Sequence, residues 1–178
     1  MDIITVKDKS FKPYISAEEL QSSVEKVAAQ INHDYKGSTP LFLGVLNGSF
    51  MFFSDLLKSI DIECTVSFVK LASYEGTMTT GVVNELIGLS EDISGKDIIL
   101  VEDIVDTGNT LVKLYEILKE KNPKSIKIAT LLYKPEAYKK SYGIDYVGKE
   151  IPNSFVLGYG LDYDGLGRNL SSIYVLNE

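Results

Sequence analysis

A mostly parallel α/β sheet with helices on its faces is the fold class this sequence predicts, and three observations predict it. Short apolar, β-branched runs alternate with segments whose apolar residues recur at helical spacing. One such alternation, DIILV (97–101), TLVKLYEILKEK (110–121) and IKIATLLY (126–133), has the spacing of a strand–helix–strand unit, whose two strands must run parallel. No repeat, low-complexity tract or linker divides the 178 residues, 44% of them hydrophobic, so a single domain around one core is expected.

The elements follow in order. Ser16-Ala17-Glu18-Glu19 has capping-box spacing, and Leu20, Val24, Val27, Ala28 and Ile31 then share one helical face until Gly37 offers a stop. PLFLGVL (40–46) reads as a short buried strand, NGSF as a turn and FMFFSDLLKSI as a helix with an apolar side. IECTVSFVKL (62–71) is rich in β-branched and apolar residues and reads as a strand. From Ala72 to about Asp97 no period is evident; Gly76, Thr77, Thr79, Thr80 and Gly81 crowd together, and part of the stretch is expected to be a mobile loop. The strand–helix–strand unit comes next, its second strand set off by the Asn-Pro break, and FVLGY (155–159) reads as a late strand.

The formal net charge is −7, and no Lys/Arg cluster forms a stripe for a phosphate backbone, so nucleic acid is not the expected partner. A single cysteine, Cys64, rules out an intrachain disulfide framework and fits a reducing compartment. MDIITVKDKSFKPY lacks the apolar segment of a secretory signal, and no apolar stretch is long enough to cross a bilayer; a cytoplasmic, membrane-free protein is the expectation.

The chemistry concentrates in VEDIVDTGNT (101–110). It lies where a parallel strand delivers the chain to a helix, the place where ligands sit in such sheets. Helix starts attract anions, yet Glu102, Asp103 and Asp106 crowd this one. The tasks separate if amides and hydroxyls of residues 106–110 hold a phosphate while Glu102 and Asp103 face neutral sugar hydroxyls or a metal ion. The bland alternative is that Asp106 or Thr107 caps the helix and the acid pair is merely solvated. A Walker loop would need a Gly-Lys-Ser/Thr ending, which is missing, and Asp162-Tyr163-Asp164-Gly165 only superficially resembles a phosphatase nucleophile motif.

Four apolar residues, two acids, two apolar residues and then Asp-Thr-Gly-x-Thr before a helix resemble the phosphoribosyl-diphosphate (PRPP) signature of type I phosphoribosyltransferases. The likeness extends, in order, to hypoxanthine-guanine phosphoribosyltransferases: GVLNGSFMFFSDL (44–56) is similar to their pyrophosphate loop, LASYEG (71–76) to the start of their lid, LLYKPE (131–136) to the purine-contacting segment and EIPNSFVLGYGLDYDGLGRNL (150–170) to the hood. The resemblance implies the type I phosphoribosyltransferase fold, with a core over about 16–145, a small hood from the N-terminal segment and about 146–178, and a lid over about 72–90. It implies purine salvage: transfer of the 5-phosphoribosyl group from PRPP to hypoxanthine, and guanine as well, giving IMP or GMP and pyrophosphate with Mg2+ as cofactor. A xanthine-preferring relative and a PRPP-sensing regulator that grips nucleic acid are the alternatives.

By the same resemblance, Glu102 and Asp103 contact ribose hydroxyls or magnesium-bound water, Asp106 takes the purine N7 proton, and Thr107, Gly108, Asn109 and Thr110 cradle the 5-phosphate. Asn47, Gly48 and Arg168 meet pyrophosphate; Lys134, Phe155, Val156 and Asp162 meet the purine; Asp162 also supports a second magnesium; Ser73 and Tyr74 open the lid. The bland reading of Lys134 is a solvated lysine, and of Phe155 and Val156 core residues. Many relatives carry Lys at the position of Asn47 and a basic residue at that of Asn109, so both positions here lack positive charge beside the expected anions. A cis bond at Leu46-Asn47 and a homodimer or homotetramer are further implications, with FMFF as an interface or a core element. His33, near a helix end, and Cys64, in a strand, are assigned structural roles only.

Overall fold

The computed structural model describes residues 2–75 and 82–177, with side chains described except at 72–75 and 82–87. In chain order the elements are β1 (Ile4–Val6), β2 (Lys9–Ile15), α1 (Ala17–Asp34), β3 (Leu41–Val45), α2 (Phe50–Lys58), β4 (Thr65–Glu75), β5 (Val82–Ile87), β6 (Asp97–Val105), α3 (Asn109–Lys119), β7 (Ser125–Tyr133), β8 (Tyr146–Glu150), β9 (Val156–Leu157) and β10 (Ile173–Leu176). A six-stranded sheet has the order β5-β4-β3-β6-β7-β8. All its pairs are parallel except β4 with β5.

Alternation along the strands sorts the core onto two faces. Phe42, Ile99, Val101, Ala129 and Leu131 meet α1 and α2, whereas Leu41, Leu43, Ile98, Leu100 and Ile128 meet Leu111, Leu114 and Leu118 of α3. The apolar face expected of α1 is buried throughout, and its start is closed by the full capping box: the Ser16 hydroxyl accepts from the Glu19 amide at 3.2 Å and the Ser16 amide donates to the Glu19 carboxylate at 3.0 Å. Such a cap is worth about 1 kcal/mol. α1 ends at Asp34, before Gly37, with His33 exposed in its last turn. In α2, Phe52 and Phe53 join the core and Phe50 faces outward, so the FMFF run is mainly a core element. Cys64 packs half-buried against the same cluster.

A second, four-stranded sheet has the order β1-β2-β10-β9, all antiparallel, and packs on Phe11, Leu157 and Tyr174. Both chain ends therefore build one hood beside the large sheet. β8 belongs to the large sheet, paired with β7. The FVLGY strand shrinks to Val156–Leu157 because Gly158 and Tyr159 turn through positive φ, at 103° and 48°. A further correction concerns the stretch where no period was evident: β4 runs on to Glu75 and pairs in register with β5, Ser73 opposite Asn84. β5 lies at the sheet edge and is paired on one side only, so its sequence need not carry the apolar signature of an inner strand. Among the described residues no helix is long and apolar enough to cross a membrane.

Candidate active site

β6 sits between β3 and β7, and the VEDIVDTGNT turn leaves its carboxyl end. Glu102 and Asp103 fall within the strand rather than after it, so pairing with β7 fixes their backbone, Glu102 lying opposite Thr130. The chain then turns through Gly108, which has φ +76°, and α3 begins. A Cβ at Gly108 would also run into the Tyr138 ring, so conformation and contact both require glycine here. Among the described residues no side chain caps the start of α3, whose N-cap is Gly108. The capping alternative for Asp106 and Thr107 therefore fails, and the first-turn amides face a cavity of about 120 Å³ lined by Glu102 and residues 104–111.

The side chain of Asp106 reaches Lys134, just past the end of β7. Its carboxylate takes the Lys134 ammonium at 2.6 Å, with 44% of the Asp106 side chain exposed against 7% of Lys134. Lys134 is held from the backbone as well, its amide donating to the Val105 carbonyl at 2.9 Å. The bland reading of a solvated lysine is thereby corrected: Lys134 is buried, and its ammonium is paired with Asp106.

Three distant segments converge on Asp103. Its carboxylate accepts from the Ile104 amide at 2.9 Å and lies against Gly48, where a Cβ would overlap it. Gly48 follows the Leu46–Asn47 peptide bond, which is cis, as expected. On its other side the Gly48 carbonyl occupies the space a Cβ on Gly160 would need. Gly160 in turn accepts from Arg168 Nη1 at 2.7 Å, and Arg168 pairs with Asp162 at 2.6 Å. Asn47, Gly48, Asp103, Asp162 and Arg168 thus form one neighbourhood, which β6 connects to Asp106 and Lys134.

Phe155 and Val156 lie just before and at the start of β9. The Phe155 ring, 46% exposed, meets Phe11 and Tyr163, and it lines a cavity of about 420 Å³ with Lys12, Tyr14, Asn153, Ser154, Val175 and Leu176. That cavity shares no residue with the one around Asp106. Val156 is buried in the hood sheet opposite Val175. Ser73 and Tyr74 lie near the end of β4, their side chains outside the described residues, as is the 76–81 part of the expected lid. Sequence reasoning missed Tyr138 and Gly160: neither carries a spacing signal, since each matters through a segment remote in the chain.

The chain matches the family model described as phosphoribosyl transferase domain over residues 16–164. It belongs to that family. It is 43% identical over 168 residues to the hypoxanthine-guanine phosphoribosyltransferase of Streptococcus pneumoniae, covering 94% of this chain and 93% of the relative. The Staphylococcus aureus protein of that name is 42% identical over 163 residues, 91% of each chain. A crystal structure of a Bacillus anthracis hypoxanthine-guanine phosphoribosyltransferase superposes with a TM-score of 0.83 at 37% identity, covering 94% of this chain and 97% of that one. A Staphylococcus aureus hypoxanthine phosphoribosyltransferase gives 0.83 at 38%, with 93% and 91% covered. The fold is accordingly that of the type I phosphoribosyltransferases.

Burial dominates the electrostatics of Glu102 and Asp103 in this phosphoribosyl transferase site. Burial holds the Glu102 carboxyl well above the usual range, and the neighbouring Asp103 adds to it; burial likewise pushes Asp103 up to about 6, against its backbone hydrogen bonds and Arg168. Among the described residues no group of three or more His, Cys, Asp or Glu side chains is placed to cage a metal. Glu102 and Asp103 are the carboxyls here that could hold a hard cation. Asp162 is engaged by Arg168, so a metal role for it requires that pair to open.

The Asp103 shift carries a pH signature. Its proton is held more tightly folded, at about 6, than at the ordinary 3.8, so between these values the folded chain binds more protons. The Asp103 contribution to stability is therefore greatest below about pH 4 and is lost as pH rises through about 6. In chelator-treated protein, Asp103→Asn should remove this penalty, gaining on wild type between pH 4.5 and 7 by on the order of 2–3 kcal/mol. Urea unfolding at both pH values measures it; a gap that does not widen with pH sinks the assignment.

Proposed function

We propose that the chain is a purine-salvage transferase that moves the 5-phosphoribosyl group of PRPP to hypoxanthine and guanine, forming IMP or GMP and pyrophosphate. The observation that carries this is the uncapped start of α3 beside buried carboxylates and the Lys134–Asp106 pair. A 5-phosphate fits the amides and hydroxyls of Thr107, Gly108, Asn109 and Thr110; the ribose hydroxyls fit Glu102 and Asp103. Magnesium, when bound, neutralises the departing pyrophosphate, with Glu102 and Asp103 as its holders directly or through water. Asn47, Gly48 and Arg168 receive that pyrophosphate, the arginine through its guanidinium fork.

In the reaction the bond from the ribose carbon to pyrophosphate breaks with its electron pair leaving on the anion, a ring nitrogen of the purine forms the new bond, and the N7 proton passes to Asp106. Positive character at the sugar carbon is steadied by the nearby carboxylates. Lys134 turns from Asp106 to the 6-oxo group, a hydrogen bond that adenine, with an amine there, cannot accept. Phe155 stacks on the base, Val156 addresses its edge through the backbone, and Asp162 serves the exocyclic edge or a second magnesium; Ser73 and Tyr74 begin a lid that excludes water.

A homodimer or homotetramer in the cytoplasm completes the proposal; Phe50, Val66 and Phe68, all exposed on neighbouring elements, support self-association. The deciding experiment is an incubation with PRPP, magnesium and each of hypoxanthine, guanine, xanthine and adenine. Nucleotide is expected from the first two. Product from xanthine alone would move the assignment to a xanthine-preferring enzyme, and no product from any base would overturn it.

A further inference from the structure

We propose that Asp55 and Tyr159 form a positioning clasp that fixes the Arg168 segment of the hood against the Asn47–Gly48 turn. The proposal rests on the transferase reading above. Tyr159 follows β9 and is buried in the core cluster that also holds Phe52 and Leu56 of α2, and its hydroxyl donates to Asp55 Oδ2 at 2.5 Å, across 104 residues of chain. Asp55 lies on α2, the helix that Asn47–Gly48 leads into, and its other oxygen takes Lys58 at 2.8 Å. One residue on, Gly160 packs against the Gly48 carbonyl. A side-chain tie and a backbone contact therefore join the same two segments.

The next links run to the arginine. The Tyr159 amide donates to the Leu170 carbonyl at 2.8 Å and the Gly160 amide to the Arg168 carbonyl at 2.9 Å, while Arg168 Nη1 donates back to the Gly160 carbonyl. Tyr159 has φ +48°, a conformation that a residue with a side chain adopts at a cost. The phenol explains why glycine does not stand there, as it does on both sides: only a side chain reaches Asp55. Burial and Asp55 both push the Tyr159 hydroxyl upward, so it remains a donor at neutral pH. Neither residue touches the reacting atoms; they act through Arg168 and Gly48.

Tyr159→Phe removes the hydroxyl and keeps the ring. Its KM for PRPP should rise about fivefold to tenfold, the size one hydrogen bond supports, with KM for the purine changed by no more than about twofold. Asp55→Ala should reproduce that split, Asp55→Asn should restore most of it by keeping an acceptor, and the double variant Tyr159→Phe/Asp55→Ala should be no worse than either single one. A Tyr159→Phe enzyme with unchanged KM for PRPP, equal rises for both substrates, or multiplying effects in the double variant would overturn the clasp. Wild type that makes no nucleotide overturns the transferase reading instead. Calorimetric titration with magnesium pyrophosphate then still decides the clasp, binding being several-fold weaker in Tyr159→Phe if it holds and equal if it does not.

Discussion

Replacing Asp106 by Asn should lower the rate of nucleotide formation by about 10²-fold to 10³-fold, the range of a positioned general base, while the fold is kept. The side chain has the same size and retains an acceptor oxygen, so it can still align a purine. It cannot take a proton. It also deprives the Lys134 ammonium of its anion, and Lys134 is the buried member of the pair. The stability cost is discounted because 44% of the Asp106 side chain meets solvent; about 1–2 kcal/mol is expected rather than the larger figure for a fully buried pair. Initial rates with saturating PRPP and hypoxanthine, beside thermal melts, separate the two effects. A loss of turnover far beyond what the melt explains assigns proton transfer to Asp106; turnover within about threefold of wild type removes it from that role.

Lys134→Met distinguishes the partners. Methionine fills the buried stem but has nothing to donate to a 6-oxo group, so its main expected effect is on KM for the base, with Asp106 freed to solvent. The two residues proposed as base and purine contact thus stand in one ion pair just past the ends of β6 and β7.

Local chemistry made the acidic turn legible: a strand period, two acids, a glycine able to turn through positive φ and a helix period are all written within about fifteen consecutive residues. The α1 capping box was legible for the same reason. What was not legible depends on chain segments far apart. Gly160 meets Gly48, Tyr159 meets Asp55 and Tyr138 closes over Gly108, and no periodicity reports such partners. β5 escaped because an edge strand joined to β4 as a hairpin does not need an inner strand's composition. Phe155 shows the limit from the other side: its motif is readable, yet its ring partner Phe11 comes from β2, at the far end of the chain.

The second large effect is expected from Gly48→Ala. Gly48 is caught between the Asp103 carboxylate, which a Cβ would overlap, and Gly160, whose own missing Cβ leaves room for the Gly48 carbonyl. Neither flank is the loose end of a long side chain: Asp103 is bound to the Ile104 amide at 2.9 Å, and Gly160 is backbone held by Arg168. The added methyl must therefore push Asp103 from its place or shift the cis turn, at a cost of about 1–3 kcal/mol. Displacement of about an ångström at a positioned group is worth roughly 10²-fold in rate, so kcat/KM for PRPP should fall by about that factor. Gly143→Ala supplies the control. Gly143 has open space around it and no left-handed φ, so its substitution should leave activity unchanged and stability level or raised by about 0.4–1 kcal/mol. The cause of the Gly48 effect can be tested by relief. If the methyl collides with the Asp103 side chain, Asp103→Ala in the Gly48→Ala background should recover most of the lost melting temperature without recovering activity, because the clash and the carboxylate leave together. Additive losses in the double variant would mean that the methyl strains the turn itself and that Asp103 is not what Gly48 makes room for.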